Sequence, residues 1–463
     1  MIRKVSLAVL AAAMAGFVAA CGGGGGEQEA QQGGGQGGSS QEEQAQSGGG
    51  SGVTTGGTTG GGTTGGTMGG TTGGTMGGTT GGMQGGTTGG ESGQLRPVEP
   101  GNPVVGTSYV APLVELFGDV RIGERSFVAS NTILRASPDH SVAIGNETNA
   151  QDNIIVRALQ ESSTVGDRTS LAHHAIIRDS EVGDFAFVGF NSEIINSTLE
   201  NGAFVLHGAT VENVTIPENS LVGPGEEITT QEQADALPEA DASTEEFREG
   251  VLDVNAEFAE GYIELYETEG YETVVNVTGP NPATSFNERA EPEVAEPFEI
   301  QEFVRIVGDV RIGPNAQIGQ RTAIRADEGS PIIIGANADL DDRVTFHALE
   351  ETDIQVGDDL TSSEDVVFHG PLQMGNGVSA EDRAVVFRAI VEDDVQIGED
   401  VVIAGPALEE GEELSFTIPA GSVIPDGSII TDEESLQQAI AGNPVTGDEL
   451  AAAEVAQMDP HSH

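Results

Sequence analysis

The sequence predicts an all-β chain of two tandem left-handed parallel β-helices, the first carrying a flanking C-terminal α-helix. Three observations predict it. Aliphatic residues recur every six positions over two long stretches. A glycine often follows the first member of a set. The hexamer Gly-Asp-Val-Arg-Ile-Gly occurs at both 118–123 and 308–313. A helix repeats every 3.6 residues and a half-buried strand every two, so neither produces a period of six. A hexapeptide repeat does, when each triangular coil has three short parallel strands and turns one aliphatic side chain per side inward.

The front of the chain does not contribute to a core. Met1 to Cys21 has Arg3 and Lys4 before an apolar run from Val5 to Ala20, too short to span a bilayer well, and reads as a signal peptide. It ends in Val18-Ala19-Ala20-Cys21, which resembles the bacterial lipoprotein cleavage box, with Cys21 as the lipidated residue. Cys21 is the single cysteine of the chain, so no intrachain disulfide forms. Residues 22–95 are almost pure Gly, Thr, Gln and Ser. Such a segment buries no apolar surface and reads as a disordered tether of ~74 residues, with a reach of roughly 45–50 Å. The expected location is therefore exported and lipid-anchored to a membrane, with the globular part held clear of it.

The first β-helix, with its helix, is assigned to 96–270. Its register runs through Ile122, Val128, Leu134; Ile144, Ala150, Val156; Val165, Leu171, Ile177; Val182, Val188, Ile194; and Leu199, Val205, Val211. It ends near Thr215-Ile216-Pro217. From about 244 to 266, Phe247, Val251, Val254 and Phe258 stand at three- and four-residue steps and predict a helix along one side of the coils. Residues 271–298, rich in proline, read as a linker. The second β-helix, 299–445, restarts with Ile312, Ile318, Ile324; Ile334, Leu340, Phe346; and Val356, Ser362, Phe368. It closes with Thr417-Ile418-Pro419 and a short helix near 433–441. Residues 446–463 read as a disordered tail.

A formal net charge of −57, from 75 acidic and 18 basic residues, excludes nucleic-acid binding through a basic face. It suits a solvated surface in salty surroundings.

Counting each coil from its glycine arranges the polar residues in columns. Twelve residues after Gly145 and Gly166 stand Arg157 and Arg178; twelve after Gly335 and Gly357 stand His347 and His369. Seven after the same glycines stand Asp152 and His173 in copy 1, but Asp342 and Glu364 in copy 2. Two histidines on one wall supply half of a site for Zn²⁺, Fe²⁺ or Co²⁺, because neutral imidazole suits all three and a catalytic zinc takes three protein ligands. His174, next to His173, is expected on the opposite, surface face of its strand. His140 and His207 lie off both columns, and His461 and His463 fall in the tail.

These residues resemble the γ-class carbonic anhydrases. Copy 2 reads Arg325-Ala326-Asp327-Glu328-Gly329, then Asp342 to Glu350 through His347-Ala348-Leu349-Glu350, then His369-Gly370-Pro371; copy 1 reads Asn149-Ala150-Gln151-Asp152 and Ser170-Leu171-Ala172-His173-His174. The likeness covers about 100–270 and 303–431. It implies reversible hydration of CO₂ to bicarbonate with hydroxide generated by a metal, in trimers whose metal sites lie between subunits. It also implies a homo-oligomer built on β-helix trimers.

Carried over residue by residue, His347 and His369 match the two ligands from one subunit, and His173 the ligand from its neighbour. Neither copy holds all three. The composite reading takes His347 and His369 from copy 2, and His173 and the glutamine beside the metal, Gln151, from copy 1. A second reading takes Glu364 as the third ligand in a trimer of copy 2 alone; a third leaves both sites without metal. By resemblance Glu328 orients substrate or water and Glu350 is the proton shuttle. Arg325 and Asp327 match residues that pair across the interface. A reciprocal face would set Arg157 and Arg178 against Asp341, Asp342 and Glu364. The rivals from other classes are a catalytically inactive trimeric scaffold or surface-assembly protein, and an acyltransferase.

Overall fold

A computed structural model of the chain describes residues 94–240, 242–408 and 412–447, with 242–247 described by backbone alone. The signal peptide, Cys21, most of the tether and the histidines of the tail lie outside the described residues.

Two left-handed parallel β-helices are present. In copy 1 the strands stack into three walls, one containing Asp119–Ile122, Ser141–Ile144 and Ser163–Val165, a second Phe127–Val128, Asn149–Ala150 and Ser170–Leu171, and a third Ile133–Ala136, Ile155–Ala158 and Ile176–Arg178. Each strand pairs with its equivalent in the next coil, so Ile122 meets Ile144 and Leu134 meets Val156. The six-residue series is the interior: Ile122, Val128, Leu134, Ile144, Ala150 and Val156 are all fully buried. Each large aliphatic of the series contributes about 1.5–3 kcal/mol by leaving water. The recurrent glycine also has a cause, because a Cβ on Gly145 would lie 2.3 Å from the carbonyl oxygen of Gly166 in the next coil.

Copy 2 repeats the plan around Ile312, Ile318, Ile324 and Phe346. Here two walls run together. The strands Val367–Met374 and Val385–Val391 continue around a corner, with a register shift between His369 and Leu372. The segment expected as a linker is partly structural. Tyr271–Val275 is helical, and Thr278–Gly279, Glu293–Val294 and Phe298–Ile300 pair with Arg305–Gly308, Val310–Ile312 and Ala316–Ile318 as the opening strands of copy 2. Short strands of two or three residues between prolines carry too little alternation to stand out in sequence.

The long helix Ala242–Glu269 buries Val254, Phe258, Ala259, Tyr262 and Leu265 against Tyr109 and Phe127 of copy 1. It covers the first coils of the wall that faces copy 2. Below it, that wall meets copy 2 directly through Ala172, Phe187, Phe190 and Phe204 against Val367, Val385, Phe387 and Val402.

The two copies meet in register, each coil opposite its own duplicate. Asn131 donates to the carbonyl of Arg321, and Arg343 to that of Asn153, both 190 residues apart. His174 contacts Asp365 at a separation of 191, and Arg383 donates to the Asn191 carbonyl at 192. These corner residues have left-handed backbone: φ is 63° at Asn131, 62° at Asn153, 64° at His174 and 54° at Asn191. Asparagine tolerates that conformation better than most residues, and His174 occupies a position in the same column.

Candidate metal centre

The wall of copy 2 that faces copy 1 carries one continuous column. Arg325 pairs in register with His347, His347 with His369, and His369 with Phe387. Because side chains alternate along each strand, the buried Ile324, Phe346 and Phe368 point into the coil while this column points at copy 1. The wall of copy 1 supplies His173. His173, His347 and His369 therefore converge, each buried, with one potential ligand nitrogen apiece lying within 4.8 Å of the others. His173 Nε2 and His347 Nδ1 are 3.3 Å apart. Two nitrogens on a tetrahedral zinc at roughly 2.0–2.1 Å would be separated by about this distance.

The electrostatics favour lone pairs over protons. Burial holds His173, His347 and His369 below the ordinary imidazole range, and for His173 the neighbouring His347 and His369 add to it. Neutral imidazoles are the form a metal takes. Nδ1 of His369 meets the Gly370 carbonyl at 3.2 Å, which fixes the ring and turns Nε2 toward the cluster. His173 Nδ1 and His347 Nε2 are buried without a hydrogen-bond partner. Those two nitrogens face Asp152 and Asp327 and point away from the cluster; it is the three buried, neutral imidazoles with one convergent nitrogen each that fit a divalent cation such as Zn²⁺, Fe²⁺ or Co²⁺.

A buried ion-pair network lies beside the histidines. Arg325 Nε is 2.9 Å from Asp152 of copy 1, and its Nη1 is 3.2 Å from Asp327. Asp152 is also 3.6 Å from His173 Nδ1, and Asp327 is 3.4 Å from His347 Nε2. The Arg325–Asp152 contact is an ion pair by distance but not a directed hydrogen bond, since atoms of both groups lack hydrogen-bond partners. The two carboxylates differ. Burial pushes Asp152 up to about 6 against the pull of Arg325. Burial opposes ionisation of Asp327 as well, but Arg325, His347 and the Tyr262 hydroxyl outweigh it and hold Asp327 well below the usual carboxylate range. Tyr262 donates to Asp327 Oδ2 at 2.6 Å.

Glu328 is buried, its Oε2 lies 3.7 Å from His347 Nε2, and its Oε1 accepts the backbone N–H of Glu350 at 3.2 Å. Burial raises its pKa to about 8. Glu350 is half-buried. Gln151 is buried beside Asp152, and its backbone N–H donates to the Leu171 carbonyl.

Not every expected group joins the site. Glu364 is exposed and absent from the histidine cluster, because the wall that holds His347 and His369 is already covered by copy 1. The expected pairing of Arg157 and Arg178 with Asp341, Asp342 and Glu364 does not occur within the chain. The arginines lie on the third wall of copy 1, stacked in register, while Asp341 and Glu364 are exposed on copy 2 and Asp342 accepts the Gln320 N–H. Of the pair expected across the interface, Arg325 crosses to Asp152, whereas Asp327 crosses to Tyr262.

His174 is a correction, being buried with Nδ1 3.1 Å from Asp365 and Nε2 2.8 Å from the Thr345 hydroxyl. It sits in a left-handed corner, where strand alternation does not apply. His207 is also buried, stacked on Phe190 at 4.4 Å, and its Nδ1 accepts the Phe190 N–H. The Tyr262–Asp327 contact had no signal in the hexapeptide pattern. Tyr262 stands out in the sequence only within Ala259-Glu260-Gly261-Tyr262, which shares the family resemblance, and as an aromatic residue one helical turn beyond Phe258.

Fold and site together define a hexapeptide-repeat β-helix protein with a three-histidine centre between two repeats of one chain. No known family profile matches the chain. Curated relatives do. It is similar to the carboxysome assembly protein CcmM of Nostoc sp., 32% identical over 169 residues, covering 34% of this chain and 30% of that protein. It is similar to a carbonic anhydrase of Methanosarcina thermophila, 28% identical over 190 residues, covering 36% of this chain and 77% of that enzyme. A carbonic anhydrase of Geobacillus kaustophilus is 34% identical over 82 residues, covering 16% of this chain and 44% of that enzyme. The match thus spans under a third of the CcmM protein and about three quarters of the Methanosarcina enzyme. Over part of its length the chain is thus similar to proteins named carbonic anhydrase and carboxysome assembly protein.

Proposed function

We propose that the chain is a γ-class carbonic anhydrase-like enzyme. It would catalyse reversible hydration of CO₂ to bicarbonate at the seam between its two β-helices, as an exported protein lipid-anchored through Cys21. The observation that carries this reading is the convergence of His173, His347 and His369, buried and neutral, from opposite walls. A zinc ion held by them would lower the pKa of its water to about 7, supplying hydroxide at ordinary pH.

The chain's own residues supply the rest. Asp327, held by Arg325 and Tyr262, stands behind the ring of His347, 3.4 Å from Nε2, where a small shift would let it orient that ring. Phe190 and Phe387 pack against His369 at 4.9 and 5.0 Å and exclude bulk water from that side. Glu328, with a pKa raised to about 8, holds a proton near neutral pH at an oxygen 3.7 Å from His347, where it can orient a carbonyl oxygen. Glu350, half-buried and with its backbone N–H on Glu328 Oε1, would pass a proton to solvent through its carboxylate. A homo-oligomer of β-helix trimers remains the expected assembly; a single chain supplies two of the three members.

A second reading, a non-enzymatic assembly scaffold, is favoured by the relatives named as carboxysome assembly proteins and by arginines in place of the ligand pair in copy 1. Metal content and CO₂ hydration of wild type, His173→Ala and Glu364→Ala separate the readings. The enzyme reading expects about one zinc per wild-type chain, loss of metal and activity in His173→Ala, and retention of both in Glu364→Ala. Metal-free wild type with background hydration would establish the scaffold instead. Retention in His173→Ala with loss in Glu364→Ala would restore the ligand set with Glu364.

A further inference from the structure

Four arginines are buried among the described residues: Arg248, Arg305, Arg325 and Arg388. Three of them have partners. Arg248 donates to the carbonyls of Phe185 and Gly202. Arg305 donates to those of Asn276 and Thr273. Arg325 is paired with Asp152 and Asp327. Arg388 is different. It is 7% exposed, its Nε is buried without a hydrogen-bond partner, and no ion pair to it exists among the described residues. A buried charge left unpaired destabilises a fold by several kcal/mol in general, so a purely structural role would favour a neutral side chain here.

The place of Arg388 suggests what the charge is for. It follows Phe387, which is the next member of the ligand column after His369. The guanidinium lies over the Phe387 ring, 4.3 Å from its centroid, and the same ring packs edge-on against His369 at 5.0 Å. Arg388 is thus one rung below the metal-ligand pair and separated from it by a single aromatic ring. Its charge is one of the causes, after burial, that keep His207 and His369 neutral. Burial brings the guanidinium down to about 9, which leaves it protonated at neutral pH.

We infer that Arg388 is an electrostatic anion-stabilising residue, a fixed positive charge held next to the three-histidine centre that favours a small anion such as bicarbonate there and opposes the bare cation. The inference rests on the reading of that centre as a metal site. It acts through space and not by contact, so Arg388 is a positioning charge and not a catalytic residue. Across about two strand spacings, roughly 10 Å, a unit charge at an effective dielectric near 20 changes the affinity for a unit anion about ten-fold. It weakens metal binding, because a like charge repels the dication.

These two effects have opposite signs, and that is what the test uses. Full-length wild type, Arg388→Met, Arg388→Gln and Arg388→Lys are loaded with cobalt(II) and titrated with azide, following the visible spectrum, and cobalt affinity is measured separately by competition with a chelator. Arg388→Met is expected to bind azide about ten-fold more weakly and cobalt as tightly as wild type or more so. Its thermal midpoint should be unchanged or higher. Arg388→Gln should behave in the same way, and covers a failure of the methionine variant to fold. Arg388→Lys, which keeps the charge, should keep the azide affinity of wild type within about three-fold. Unchanged azide affinity in a cobalt-loaded neutral variant would overturn the inference and leave the metal centre standing. Weaker binding of both azide and cobalt would overturn it too, by showing a packing role. Wild type that takes up no cobalt would remove the metal centre and this inference together.

Discussion

The third wall of copy 1 and the ligand wall of copy 2 occupy equivalent places in the duplicated fold, yet one is open and the other covered. On the covered wall Arg325, His347 and His369 are stacked in register and buried. On the open wall Arg135, Arg157 and Arg178 are stacked in the same way, and none forms an ion pair among the described residues. Arg135 is exposed and Arg157 and Arg178 are half-buried, so water reaches this wall even though Arg157 Nε itself is buried without a hydrogen-bond partner, whereas a fully buried column must be paired or neutral. The comparison teaches that cover decides which side chains a column can hold. Copy 2 keeps imidazoles and one doubly paired arginine where copy 1 carries arginines.

The largest expected effect is on the covered side. Arg325→Met leaves Asp152 and Asp327 buried without their shared cation and should lower unfolding free energy by about 3–5 kcal/mol. Arg157→Met on the open wall should stay within about 0.5 kcal/mol of wild type in the same denaturant titration. Comparable losses at both positions would break the distinction between the walls. Tyr262→Phe, which removes one hydrogen bond to the ionised Asp327, should cost about 1.5–3 kcal/mol, read as a lower thermal midpoint.

A third prediction uses pH. Burial, with a contribution from Arg388, pushes His207 down to about 3, so the folded state keeps it neutral where the unfolded chain takes up a proton near 6.5. The unfolded state then binds more protons between those values. The contribution of His207 is therefore intact above about pH 6.5 and is lost as pH falls toward 3. Between pH 6.5 and 5 the metal-free wild type should lose about 2 kcal/mol more than His207→Gln, whose side chain can still accept the Phe190 N–H. Parallel losses in the two proteins would count against the buried, neutral assignment.

The smallest expected effect is a null one. Converting the open wall with Arg157→His and Arg178→His recreates the ligand pair in copy 1, but among the described residues of the chain no third histidine covers it. Metal content should stay at about one ion per chain. Two ions per chain would show that cover is not what completes the site.

Much of the fold was legible before any coordinates. A side chain that must fill a triangular coil recurs every six residues whatever surrounds the coil, so Ile122 through Val211 and Ile312 through Phe368 stand out locally. The histidine columns were legible for the same reason, since equal offsets from a coil glycine mean equal places on a wall. What escaped depends on contacts between distant parts of the chain. His174 looks like an outward strand residue until its left-handed corner and Asp365, 191 residues away, are in view. The opening strands of copy 2 between 278 and 300 are recognisable only by the coil they pair with. That Arg388 is buried with an unpartnered Nε and its guanidinium over the Phe387 ring is a matter of tertiary packing, which no local pattern encodes.

The in-register meeting of each coil with its own duplicate has a consequence for assembly. Where a centre is shared between separate subunits, its population falls as the protein is diluted. Here both halves ride on one chain, and the second encounter is intramolecular, at an effective concentration of about millimolar or above. The three-histidine centre should therefore persist at dilutions where a centre divided between chains would come apart.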